Sequence, residues 1–267
     1  MNDKLPEATI RIPVDPFNPG EFFACCGLFE LAHRLTAKTQ RAEGWFEIDG
    51  GQHYQFSIHA RNDEGAISLE MVIAFLQKCT LSTKRPVAKE GPVVIGEPFG
   101  ISLDLRSSYP QSSLTKTFAG QQNLFDIVHA LHEVVRQVPQ QEIVNIPIWR
   151  IRKTTSKMVT AFAMQKAENV IDAGFSMDAQ AGRLVSQTQI FLEYFALIGT
   201  QRFCPTTSEH PLGRIYYAWH TPLTVPLAAV AVSTRLSGIL QTGFIFHMYK
   251  RDSKGRYKGF APARNLS

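Results

Sequence analysis

The side chains best placed for chemistry are cations, and they cluster. Trp149-Arg150-Ile151-Arg152-Lys153-Thr154-Thr155-Ser156-Lys157 holds four positive charges and no acid. Lysine and arginine neutralise phosphates, and threonine and serine hydroxyls donate to phosphate oxygens. If Ile146 to Arg152 is extended, alternation sets Arg150 and Arg152 on one face and Trp149 and Ile151 on the other. A second cluster runs from Tyr249 to Phe260. It interleaves Lys250, Arg251, Lys254, Arg256 and Lys258 with aromatic rings, and Tyr257 is its candidate stacking platform. Such interleaving suits unpaired bases as well as the backbone. From Tyr249 to Ser267 six basic residues stand against one acid, Asp252, which accounts for the whole formal excess of +5. A solvated hairpin whose lysines only aid solubility would explain one such cluster. Two clusters in an otherwise neutral chain, with Lys84, Arg85 and Lys116 besides, point to nucleic-acid contact.

Catalytic patterns are scarce. The chain has no GxxxxGK[ST], no GxGxxG after a strand, no HExxH and no GxSxG. Gly91 to Gly96 lacks the lysine and the following helix of a phosphate loop. His129 and His132, with Asp126 and Glu133 nearby, have the i, i+3 spacing of half a metal site. No second histidine pair completes it, and a polar helix edge is the simpler reading. Cys25 and Cys26 lie early in a helix, where a thiol can be activated, but an apolar neighbourhood favours small buried packing groups. The sequence therefore assigns no catalytic residue, no cofactor and no metal. A metal-dependent nuclease using His129, His132 or His220 is the enzymatic rival.

The positioning elements read as α+β: a mixed or antiparallel sheet with packed helices in irregular order, closed by a basic C-terminal hairpin. Strands are expected at Ala8–Val14, Trp45–Ile48, Tyr54–His59, Val93–Ile95, Ile101–Leu105, Ile215–Trp219 and Gly243–Lys250. The last of these would pair with Arg256–Phe260. Asp49-Gly50-Gly51 signals a hairpin. Helices are expected at Phe22–Leu35, Ser68–Lys78, Leu124–Val138 and Ser186–Ile198. One unit of 267 residues is expected, any subdivision falling near 140–145 or 179–183. Four cysteines without a CxxC pair indicate a reducing cytoplasm. Met1 to Glu7 lacks a signal-peptide layout, and no apolar run is long enough to span a bilayer.

Three phrases carry a family resemblance. Asn18-Pro19-Gly20-Glu21-Phe22-Phe23-Ala24-Cys25-Cys26-Gly27-Leu28 resembles the N-terminal signature of the Csb-type CRISPR-associated proteins of type I-U (I-G) loci. Lys116-Thr117-Phe118-Ala119-Gly120-Gln121-Gln122 and Ala196-Leu197-Ile198-Gly199-Thr200-Gln201-Arg202-Phe203-Cys204-Pro205 are similar to the same family. The resemblance implies a large-subunit-like, non-catalytic component of a Cascade surveillance ribonucleoprotein. Its partners would be guide RNA, target DNA, the other Cascade subunits and a recruited helicase–nuclease. It implies a role at the motif flanking the target, and adds Gln121, Gln122 and Arg202 to the candidate contacts. At 267 residues the chain is small for a large subunit, which leaves open a backbone subunit that holds the guide. A guide-processing endoribonuclease and a structural protein without nucleic-acid contact are the remaining alternatives.

Overall fold

The computed structural model describes residues 5–37, 39–49, 53–83, 92–104, 124–154, 187–250 and 258–266. Strand β1 (Ile10–Val14) leads into helix α1 (Pro19–Arg34), then strands β2 (Glu43–Asp49) and β3 (His53–His59). Both β1 and β2 run antiparallel to β3, which lies between them. They are therefore parallel to each other, with α1 as the crossover. The expected hairpin is present, Asp49 facing His53 across it.

The start of α1 explains most of the first phrase. Asn18 is the N-cap, its Oδ1 accepting from the amides of Gly20 at 3.1 Å and Glu21 at 3.4 Å. Pro19 occupies the first helical position, where its missing N–H costs nothing. Glu21 folds back to accept from the Asp15 amide at 2.8 Å and Asn18 Nδ2 at 3.2 Å. That is the reciprocal logic of a capping box. Glu21 is buried, and desolvation raises its pKa.

Helix α2 (Leu69–Lys78) follows a short ribbon of β4 (Arg61–Asn62) and β5 (Gly65–Ala66). Ser68 caps α2 as expected, accepting from the Met71 amide at 3.2 Å. Strands β6 (Leu81–Thr83), β7 (Val93–Ile95) and β8 (Ile101–Leu103) form a three-stranded antiparallel sheet. Helix α3 (Leu124–Val135) and the short α4 (Gln140–Asn145) precede strand β9 (Arg152–Thr154). β9 pairs with β10 (Gln187–Gln189), which runs straight into α5 (Ile190–Gly199). α5 begins later than expected because its predicted first turn is this strand.

The second large sheet takes β11 (Thr206–Thr207), β12 (Gly213–Trp219), β14 (Gln241–Lys250) and β15 (Lys258–Phe260) in that order, with β16 (Arg264–Asn265) also on β14. β13 (Leu223–Thr224) joins β2 in the first sheet, and helix α6 (Val225–Ser233) follows it. The indole of Trp219 donates to Gly44 O at 2.6 Å and ties the two sheets together.

α1 fills the space between these sheets. Phe22 stacks on Phe46 at 5.1 Å and tilts against Tyr216 at 4.4 Å. Phe23 meets Phe246 and Phe260, and Phe29 meets Phe56. Aromatic pairs at such separations contribute about 0.5–1.5 kcal/mol each beyond area burial. On its other side α1 crosses α5 with backbone against backbone. A Cβ on Gly27 would collide with the Phe195 carbonyl, and one on Gly199 with the Phe23 carbonyl. Cys25 and Cys26 are fully buried, and desolvation holds both thiols well above the usual pKa range, so they are neutral packing groups. Among the described residues Ile143 of α4 belongs to the same hydrophobic cluster as Ile10 and Ala263; 179–183 lie outside the described residues.

Candidate nucleic-acid interface

The first basic cluster folds differently from the extended segment expected. Pro147 has a fixed φ, and the Arg150 amide donates to its carbonyl at 2.7 Å. That bond closes a 3-10 turn over Ile148–Arg150, and only from Arg152 is the chain a strand. The sidedness survives the change. Trp149 and Ile151 are buried, Trp149 packing edge-on against Phe195 at 6.0 Å. Arg150 is exposed and Arg152 half-exposed.

The cluster is also less positive than its sequence. Lys153 Nζ lies 2.6 Å from Glu142 Oε2, supplied by α4 eleven residues earlier. Arg150 lies close enough to Glu21 to oppose the upward effect of burial on that carboxyl. Arg202 is committed as well. Its Nε sits 3.1 Å from Glu30 Oε2, while Arg34 holds Glu30 Oε1 at 2.8 Å. The Glu30 side chain is only 4% exposed. Arg202, three residues past the end of α5, thus ties that turn to the C-terminal part of α1, and its first task is structural.

The C-terminal hairpin forms as expected, in the register Met248↔Phe260, Tyr249↔Gly259, Lys250↔Lys258. Lys250 and Lys258 therefore share one rung of the ladder. Lys84, Arg85, Lys116, Gln121, Gln122, Lys157, Arg251, Lys254, Arg256 and Tyr257 lie outside the described residues.

The histidines divide. His132 is buried; its Nε2 donates to Cys79 O at 3.0 Å and its Nδ1 accepts from the Tyr194 hydroxyl at 3.2 Å. His220 donates from Nδ1 to Phe46 O at 2.9 Å, leaving Nε2 to accept from Thr242 Oγ1 at 2.8 Å. Both rings have both nitrogens engaged. His129 is exposed and stacks near Phe125. Among the described residues no three metal-ligating side chains group together. An open groove of about 480 Å³ on the first sheet carries Glu7, Glu47 and Arg11, a mixed charge unsuited to a polyanion.

The His132 network makes a pH prediction. Desolvation is the largest influence on this imidazole and lowers its pKa; Arg136 and His129 lower it further, and the Cys79 carbonyl and Glu133 oppose them. A folded-state pKa below the unfolded value means that the neutral ring's contribution is complete above about pH 6.5 and is lost as pH falls below it. Gln in place of His132 should therefore destabilise most at pH 8. The gap in melting temperature to the wild type should narrow by pH 5.5. A gap that widens on acidification would refute this sign.

Comparison with protein-family models, with curated proteins and with solved structures found no match. Among the described residues no helix is long and apolar enough to cross a membrane.

Proposed function

We propose that this chain is a nucleic-acid-contacting, non-catalytic subunit of a type I CRISPR surveillance ribonucleoprotein of the Cascade kind. It would grip guide RNA or unwound target DNA through the C-terminal hairpin, leaving cleavage to a recruited helicase–nuclease. The observation that carries this reading is the register of β14 and β15. Lys250 and Lys258 are paired positions of the ladder, and residues of like charge at paired positions come at a cost to a sheet. A phosphate backbone turns that cost into attraction. The surrounding sequence supports the same ligand: between Thr206 and Leu266 seven basic residues besides the buried Arg214 stand against two acids, Glu209 and Asp252.

The family part of the reading rests on the three sequence phrases. Two of them are α1 and α5 with its following turn, the pair that crosses backbone to backbone at Gly27 and Gly199. They frame the core, and the basic edges are where a ligand would be met. In such complexes base pairing reads the target while the protein supplies a positive channel.

Replacing Lys250 and Lys258 together by alanine tests the proposal. Anisotropy of a labelled single strand should show about tenfold weaker binding near 0.1 M salt, and a log–log salt slope shallower by about 1.4 for two lost phosphate contacts. Unchanged affinity and slope would remove the hairpin from the site.

A further inference from the structure

We infer that the solvent face of the second sheet is a stacking platform for single-stranded nucleic acid, continuing inward from the hairpin; this rests on the reading above. The alternation of β12 fixes the faces. Tyr216 and Ala218 point into the core, while Ile215 and Tyr217 are half-exposed. Their partners on β14 are Ile245 and Gly243, and Gly213 lies opposite His247. The outer face therefore presents Tyr217, the Ile215–Ile245 pair and His247 in successive rows.

Both ends of this stripe carry rings. The exposed His210 lies over His247, ring centroids 4.9 Å apart and planes 19° apart. At the other end Tyr217 lies down across Gly243, where a Cβ would come within 2.9 Å of Tyr217 Cε1. A glycine inside a strand is a local weakness that marks close approach; here it lets the ring lie flat. Tyr217 and His247 are four residues apart along the ladder, about 14 Å. Histidine and tyrosine rings are the surfaces on which unpaired bases stack.

One cation lies over a ring of the stripe and another stands on the neighbouring strand. The Arg235 guanidinium carbon is 5.9 Å from the Tyr217 centroid, and Arg264 faces Ile245 on β16. Both are exposed, and among the described residues neither has a carboxylate partner. The described strands and loops of this sheet contain one acid, Glu209. Ring, cation and apolar floor in one stripe match a strand with bases turned to the protein and phosphates at its edges. A duplex, whose base faces are hidden, cannot use the rings.

The test is anisotropy titration of the full chain with one sequence as labelled RNA strand, DNA strand and duplex. His210→Ala with His247→Ala should weaken single-strand binding about tenfold through lost stacking. Arg235→Ala with Arg264→Ala should flatten the single-strand salt slope by about 1.4. Tyr217→Phe should bind as the wild type and Tyr217→Ala should not; the arginine pair is exposed and keeps the test open if Tyr217→Ala fails to fold. Comparison of the RNA and DNA arms identifies the strand. If these variants bind normally while the Lys250/Lys258 variant loses affinity, the platform is wrong and the hairpin stands. Equal binding of duplex and single strand would also overturn the platform. A wild type that binds no strand would remove both.

Discussion

Alanine at Gly27 should cost more than about 3 kcal/mol of stability, and alanine at Gly199 a similar amount, beyond the usual range for overpacking. The added methyl has nowhere to go. At Gly27 it meets the Phe195 carbonyl and lies 3.0 Å from the Gly199 amide; at Gly199 it meets the Phe23 carbonyl and lies 2.8 Å from the Gly27 amide. These obstacles are backbone atoms in the middle of two fully buried helix faces, so neither can swing aside as a side chain could. Alanine's better helix propensity works the other way, by about 1 kcal/mol, and is the smaller term. Typical domain stability is about 5–15 kcal/mol, so either variant should lower the urea midpoint sharply, and the pair should not fold. Unchanged or raised midpoints would mean that α1 and α5 do not cross at these glycines.

Alanine at Glu30 should cost about 2–3 kcal/mol, less than the 3–5 typical of breaking a fully buried pair. The carboxylate is 4% exposed, but its partners Arg34 and Arg202 are 36% and 35% exposed and regain water when it is lost. Gln at this position keeps one acceptor oxygen but turns an NH2 donor toward the other guanidinium, so it should recover only part of the loss. Arg202→Ala should reproduce part of the Glu30→Ala loss, and the double variant should cost less than the sum. Full additivity would show that the 3.1 Å contact is energetically empty.

Most regular elements were legible in the chain. The Asp49-Gly50-Gly51 turn announced β2 and β3, and the 3.6-residue apolar spacing with Ser68 announced α2. Helix α6 was not, because Val225 to Ser233 is apolar nearly all round and has no polar face to show a period. The continuous apolar run of α1 said that it is buried, but nothing local said that its partner is α5, since Gly27 and Gly199 meet across most of the chain. The candidate site divides in the same way. The hairpin was readable because its strands are neighbours in sequence. The pairing of Lys153 with Glu142, and of Arg202 with Glu30, was not, because charge counts record how many cations exist and not which are already matched. The ring stripe was hidden for a related reason: His247 and Tyr217 are ordinary strand residues until β12 and β14 are set in register.

The most direct test of the central claim is one salt titration of the wild-type chain against a labelled single strand, from about 0.05 to 0.2 M, with divalent metal present and strand length checked at the end. Binding should weaken steadily with salt, with a slope reporting several phosphate contacts, and the strand should be recovered intact. No binding, binding indifferent to salt, or a strand cut by wild type but spared by His129→Ala would contradict it.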